Sequence, residues 1–304
     1  MPTLLPIVLF NFKNGGRISA GNYDFTSLQH AFSYLEVPPA LIILCEAKEW
    51  GYWGRTPLLK AAQTISRTLG VPYQIELGHI DRGDFGPAIL FNPNVLQLDY
   101  WGDKHSSVAD DQRNLARFIV WNTDTKLEVL PEHWDFRSGR ARMPYAERIG
   151  GYGTKNIPVL VAGDLNETAS GLHLPQMDWN SASAKMRKQK GRQRSDGNWE
   201  PHTDAVDLLV GAWDARYEWG HPQAQRMDSL GFYLVAEIAA ATGTLPRDAF
   251  QFTTRGSHLL IDMLLVNNAW LTRGGIIPET YRVIGNDIPD WPSDHYMVCV
   301  TLYL

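Results

Sequence analysis

The chain is poor in cysteine: Cys45 and Cys299 are the only two among 304 residues, and each lies inside an apolar run. A disulfide framework is therefore excluded, and both thiols are expected to behave as small hydrophobes. No apolar run approaches the ~18 residues of a membrane helix, so no membrane span is expected. Positive charge is not in excess either. The formal net charge is −5, which argues against a protein that coats nucleic acid without selection and still allows a local basic groove. Internal repeats and linker-like segments are missing, so one domain over residues 1–304 is expected. The opening MPTLLPIVLFNFKNGG has no basic region before its apolar stretch and no small-residue cleavage pattern after it. It reads as a first strand, and a monomeric cytoplasmic protein is the expectation.

What the chain does have is a set of apolar runs that stop abruptly at polar residues. Leu4 to Phe10 ends at Asn11, Leu41 to Cys45 at Glu46, and IPVLVA at Gly163-Asp164-Leu165-Asn166. HLLI meets Asp262, and the terminal YMVCVTLYL follows Ser293-Asp294-His295. Fully apolar runs of this length read as buried strands whose tips carry the polar groups. Between them, Leu28, Ala31, Phe32 and Leu35 share a helical face behind Asp24 or Thr26, and Thr56-Pro57 opens a helix that Leu69-Gly70 closes. Tyr73 to Trp121 reads as short antiparallel strands. A helix is expected after Ser138 up to Gly150-Gly151, a short one from Thr203 to Leu209, and a longer one from Leu230 to Thr242. Residues of about 170–202 lose periodicity and gain charge, and are expected to be a basic loop insertion.

Hydrolysis of a phosphodiester needs a polarised phosphorus, an activated water and relief of charge on the leaving oxygen. Mg²⁺ suits the first and third because it binds few carboxylates, keeps several waters and accepts phosphate oxygens. Glu46 and Asp294 are the candidate protein ligands. Asp164, aligned by Asn166, would orient and deprotonate the water. His133 and His295 would donate to the phosphate, with Asp262 holding His295 in one tautomer. Read alone, Gly163-Asp164 is a turn, Asn11 a turn residue and Glu46 a solvated strand end. Their company in one chain favours chemistry.

The ordered set FNFKNGG, LCEAKEW, PEHW, VAGDLNET, LLIDMLLV and SDHY resembles the endonuclease/exonuclease/phosphatase superfamily, the deoxyribonuclease I-like proteins. The resemblance spans Asn11 to His295. It implies an α/β four-layer sandwich, with two mixed β-sheets packed face to face and helices outside. It further implies that Asn11, Glu46 and Asp294 surround a Mg²⁺ or Mn²⁺ ion, and that Asp164 and Asn166 handle nucleophile and phosphate. His133 and the Asp262–His295 pair complete the set. This chain departs from many members at Leu260-Ile261-Asp262-Met263, where they carry arginine before the isoleucine and histidine after the aspartate.

Lys185, Arg187, Lys188, Lys190, Arg192 and Arg194 crowd one short stretch, with Trp179 and Trp199 on either side. As a charge run it reads first as solvated loop. As function, it would grip phosphates flanking the scissile one, with Arg137, Arg140 and Arg142 on the far side and the tryptophans either stacking on bases or anchoring the loop. The expectation is a metal-dependent phosphodiesterase, foremost a nuclease on DNA or RNA. A small-molecule phosphoesterase is the second reading, and a nucleic-acid-binding protein without turnover the third.

Overall fold

Alternation along the first buried strands decides the layering of the molecule. The computed structural model describes residues 2–79, 85–102, 112–221, 223–241 and 250–304. In strand Leu4–Asn11, Leu5, Ile7 and Leu9 join Leu41, Ile43, Cys45, Phe91, Phe118 and Val129 in one core. Val8 and Phe10 point the other way, with Ile42 and Leu44, onto the helices Thr26–Phe32 and Thr56–Leu69. Successive side chains of a strand face opposite sides of its sheet, so these strands are covered on both faces. That is why they read as unbroken apolar runs.

The layers are two six-stranded mixed sheets. In the first, the order is Gly275–Ile284, Met297–Tyr303, Leu4–Asn11, Leu41–Lys48, Phe85–Phe91, Gln74–Leu77. In the second it is Phe232–Leu234, Asp262–Asn267, Val159–Asp164, Lys126–His133, Ala116–Val120, Leu96–Trp101. Each sheet contains one parallel pair at its centre, Leu4–Asn11 with Leu41–Lys48 and Val159–Asp164 with Lys126–His133. The sheets meet through contacts such as Phe91 on Phe118, with ring centroids 5.1 Å apart. This is the α/β sandwich of mixed sheets that the sequence led us to expect.

Several local expectations change. The segment around 170–202 is not simply a loop: Ala184–Lys190 is a helix, and Gly191–Gln193 pairs with Trp199–Pro201 as a hairpin. The reason lies outside its own polar sequence. Ser183 caps the helix by accepting the Met186 N–H, while Trp179, Met186 and Trp199 pack with buried Leu259 and Ile261. The tryptophans thus anchor the segment. The stretch expected to be helical from Leu230 splits into strand Phe232–Leu234 and helix Val235–Ala241, because Phe232–Leu234 pairs with the antiparallel strand beside it. Thr242 and Gly243, its expected end, lie outside the described residues. Asp262 opens its strand and does not close it.

Candidate functional site

Strand register brings the polar tips together. Asp164 pairs across one ladder with His133 and across the other with Asp262. The first ladder is parallel and the second antiparallel, so two strand ends and one strand beginning share a sheet edge. From the other sheet, Asn11 lies opposite Cys45, with Glu46 next in line. His295 arrives from the segment before the last strand, held by a Trp291 Nε1 hydrogen bond to its carbonyl at 2.7 Å and by a Ser293 Oγ that accepts its N–H at 3.1 Å. Ser293 also donates to the Asn11 carbonyl at 2.7 Å, tying the two chain segments together.

Backbone geometry at these tips is unusual. Glu46 and Asn166 hold φ of 60° and 55°, a left-handed conformation that costs non-glycine residues energy and clusters at functional sites. At Glu46 the cause is a register shift between Leu44 and Ala47. At Asn166 the turn is closed by its N–H donating to Asp164 Oδ1 at 2.9 Å. Gly163 precedes because a Cβ there would collide with the Glu132 carbonyl.

Asp164 is the centre. It is 2% exposed, and its Oδ2 receives Asn11 Nδ2 at 3.0 Å and faces His133 Nε2 at 3.9 Å and His295 Nε2 at 3.8 Å. Burial opposes its ionisation, but His295, His133, Lys190 and the Asn166 N–H together hold its carboxyl below the usual range. It is a carboxylate at neutral pH. His295 Nδ1 lies 2.8 Å from Asp262 Oδ2. Burial pulls the imidazole down, yet Asp262 and Asp164 prevail and push it up to about 9. Burial raises Asp262 against the pull of His295, and the Asp164 charge adds to the rise. Thr253 Oγ1 accepts the Asp262 N–H at 3.0 Å, fixing the strand's first residue.

Glu46 lines a cleft of about 160 Å³ together with His133, Asp164, Asn166 and His295. Its Oε2 accepts the Asn14 N–H at 2.8 Å, and its Oε1 lies 3.4 Å from Asn11 Nδ2. Asn11 Oδ1 is buried with no hydrogen-bond partner among the described residues. An orphaned amide oxygen beside a carboxylate is a donor set that a hard divalent cation fits. Asp164, Asp262 and His295 also present one ligand atom each within 4.8 Å of one another. There, however, His295 Nδ1 is engaged with Asp262 at 2.8 Å, so the oxygen donors at Glu46 are the better seat. Asp294 is half-exposed, ion-pairs with Lys13 at 3.4 Å and is not among the described residues that line the cleft.

The basic candidates separate sharply. Arg142 is fully buried and cannot reach a phosphate; its Nε donates to Glu167 Oε2 at 2.5 Å and its Nη1 to the Gln189 carbonyl at 3.1 Å. Arg192 is engaged by Glu200 and Asp204, and Arg194 by Asp196 and Glu200. Arg187 lies over the Trp199 ring. Arg140, Lys185 and Lys188 are exposed. Lys190 turns inward, its Nζ 2.6 Å from Asn166 Oδ1, and burial lowers it to about 8 against the pull of Asp164. Of the other histidines, His202 lies 3.5 Å from Glu167 and His258 stacks on Phe252.

Sequence reasoning missed Cys45 and Glu132. The Cys45 thiol donates to the Glu132 carbonyl at 3.4 Å and its sulfur accepts the Asp164 N–H at 3.3 Å, so it bridges the sheets beneath the site. Glu132 forms a cleft wall with Arg148, which donates to both its oxygens at 2.6 and 2.7 Å. A carboxylate beside His133 at a strand end was the available signal.

No protein-family profile matches the sequence, and no curated protein does. Solved structures do match over nearly the whole chain. An endonuclease/exonuclease/phosphatase family protein from Bacteroides thetaiotaomicron is 16% identical, covers 100% of this chain and 99% of its own, with a TM-score of 0.52. An AP endonuclease from Archaeoglobus fulgidus is 14% identical over 97% of this chain and 98% of its own, TM-score 0.53. ANGEL2, a 2′,3′-cyclic phosphatase, is 12% identical over 100% and 96%, TM-score 0.53. Two mixed six-stranded sheets and this likeness together give one conclusion: the chain has the fold of the endonuclease/exonuclease/phosphatase proteins.

Proposed function

We propose that the protein is a divalent-metal-dependent phosphodiester hydrolase, foremost a nuclease acting as a monomer on DNA or RNA in the cytoplasm. The observation that carries this reading is the surround of Asp164 Oδ2, an ionised oxygen faced by Asn11 Nδ2 and the Nε2 atoms of His133 and His295 beside Glu46. Asp164 orients the attacking water and takes its proton. The water oxygen bonds to phosphorus as the bond to the leaving oxygen breaks, in line. His295, protonated and held by Asp262, and His133 donate to the phosphate oxygens on which charge develops. Mg²⁺ or Mn²⁺, when bound with Glu46, Asn11 and Asp294 about it, supplies Lewis acidity toward the phosphate and relief for the leaving oxygen.

Screening single- and double-stranded DNA, RNA and small phosphoesters with Mg²⁺ and Mn²⁺ tests the proposal. Turnover of at least one phosphodiester is expected, abolished by EDTA and by Asp164→Asn. Undiminished activity in either case would overturn it. One observation favours the second reading, a small phosphoester: Arg192 and Arg194 are neutralised by Glu200, Asp204 and Asp196, and Arg142 is buried, so the basic surface is smaller than its sequence suggests. A similar structure is that of a 2′,3′-cyclic phosphatase. Binding of nucleic acid without hydrolysis of any phosphodiester under either metal would point instead to the third reading.

A further inference from the structure

The side-chain amide of Asn166 has one of its two N–H donors and one of its two oxygen lone pairs already committed. Its Nδ2 donates to the Trp134 carbonyl at 2.9 Å, and its Oδ1 accepts from Lys190 Nζ at 2.6 Å, with the Asn166 carbonyl accepting the same ammonium at 3.1 Å. An ammonium only donates and a carbonyl only accepts, so these two partners allow one orientation of the amide and forbid its flip. The N–H left over belongs to a residue that lines the cleft. Lys190 itself has little freedom along the backbone. The Gln189 carbonyl accepts Arg142 Nη1 at 3.1 Å and the Lys190 carbonyl accepts the His202 N–H at 2.8 Å. Arg142 is also bound to Glu167, next in sequence to Asn166. The same buried ion pair therefore fixes both the turn that carries the amide and the segment that carries the lysine.

We infer that Lys190 is a positioning residue: delivered by the segment inserted after the Asp164 strand, it locks Asn166 as a hydrogen-bond donor toward an anionic phosphate oxygen and bars the flipped amide from presenting its oxygen there. This rests on the phosphodiesterase reading above for its catalytic consequence, but not for its geometry. The lysine, bonded to the cleft residue Asn166, is thus distinct in role from Lys185 and Lys188 of the same segment, which are exposed.

The test has two arms. In the first, Lys190→Met, which keeps the stem and removes the charge, lowers kcat by about 10- to 100-fold, less than the ~10²–10³ of deleting a donor outright because the amide stays in place, with a smaller change in KM. Lys190→Arg restores part of it. In the Asn166→Ala background, Lys190→Met costs nothing more. Full activity of Lys190→Met, or losses that multiply in the double variant, overturns the inference. The second arm needs no turnover. In protein labelled with ¹⁵N-asparagine, the Asn166 side-chain amide protons, identified by their absence in Asn166→Ala, exchange with solvent about tenfold faster or more in Lys190→Met, while Lys185→Met leaves them unchanged. Equal protection in Lys190→Met and the parent overturns the inference even if no phosphodiester is ever hydrolysed. Absence of turnover together with loss of protection overturns the function reading alone.

Discussion

Asn11 Nδ2 donates to Asp164 Oδ2 at 3.0 Å, and this bond joins a strand tip of one sheet to a strand tip of the other, 153 residues away in the chain. Asn11→Ala deletes it and leaves the carboxylate oxygen facing only imidazoles. A hydrogen bond to a charged group contributes about 1.5–3 kcal/mol, so kcat should fall by about 10- to 100-fold, with a similar loss of stability in denaturant titration. Wild-type values for both would show that the bond does not matter.

His295 gives a pH dependence whose sign follows from its partners. Its folded pKa of about 9 lies above the ordinary 6.5. The stabilisation is therefore complete below about pH 6.5 and is lost as the pH rises through 9. Asp262→Asn removes the leading partner, so the imidazole resonances should titrate lower by NMR and the alkaline loss of stability should begin earlier.

Arg142 and Glu167 form an ion pair with no exposed side-chain surface on either partner. Removing one member strands the other, which costs about 3–5 kcal/mol. Arg142→Met and Glu167→Gln should each unfold at lower denaturant, and the double variant should recover part of the loss. Burial opposes ionisation of Glu167, but His202 and Arg142 hold its carboxyl below 4.5. Its contribution is present above that value and is lost as the pH falls through the lower folded one, so Arg142→Met should also move acid unfolding to higher pH.

Glu46 and Asp294 separate in a thermal-shift titration with Mg²⁺ or Mn²⁺. At a metal concentration about 100 times the dissociation constant, binding adds about 2.7 kcal/mol and raises the melting temperature of the parent. Glu46→Gln should abolish the rise. Asp294→Asn should reduce it less, because Asp294 is half-exposed and paired with Lys13. An equal or larger effect at Asp294 would place the ion toward the last strand.

Lys185 and Lys188 decide between polymer and small substrate. If both contact phosphates, replacing them with glutamine should weaken duplex binding and reduce the slope of log affinity against log salt by about 2. Hydrolysis of a small phosphodiester should be unaffected. An unchanged slope removes these lysines from the nucleic-acid surface.

Much of this arrangement could be read before any coordinates. The strand tips were legible because runs covered on both faces are apolar throughout, so the first polar residue marks the edge of the sheet. Direction was not legible. Asp262 opens its strand whereas Asp164 closes one, and side-chain alternation is the same read either way. The basic segment misled for a different reason, since its helix and hairpin are held by Leu259 and Ile261 far along the chain. Arg142 looked like surface because nothing in its own neighbourhood announces Glu167 at 25 residues' distance. Lys190 shared its composition with five neighbours, and only the turn of the chain distinguishes it.

The first strand lies between the last strand and Leu41–Lys48, and Ser293 is bonded to Asn11 across 282 residues. During synthesis the amino-terminal strand therefore waits, one edge unpaired and apolar, until residues beyond 293 have left the ribosome. Contacts of such sequence separation fold slowly, and exposed strand edges invite wrong partners. A chain halted before Ser293 would contain Glu46, His133, Asp164 and Asp262, yet would lack His295 and the strand that pairs with the first one. It would be prone to aggregate, and a nascent chain completes the candidate site only once His295 and the closing strand have emerged.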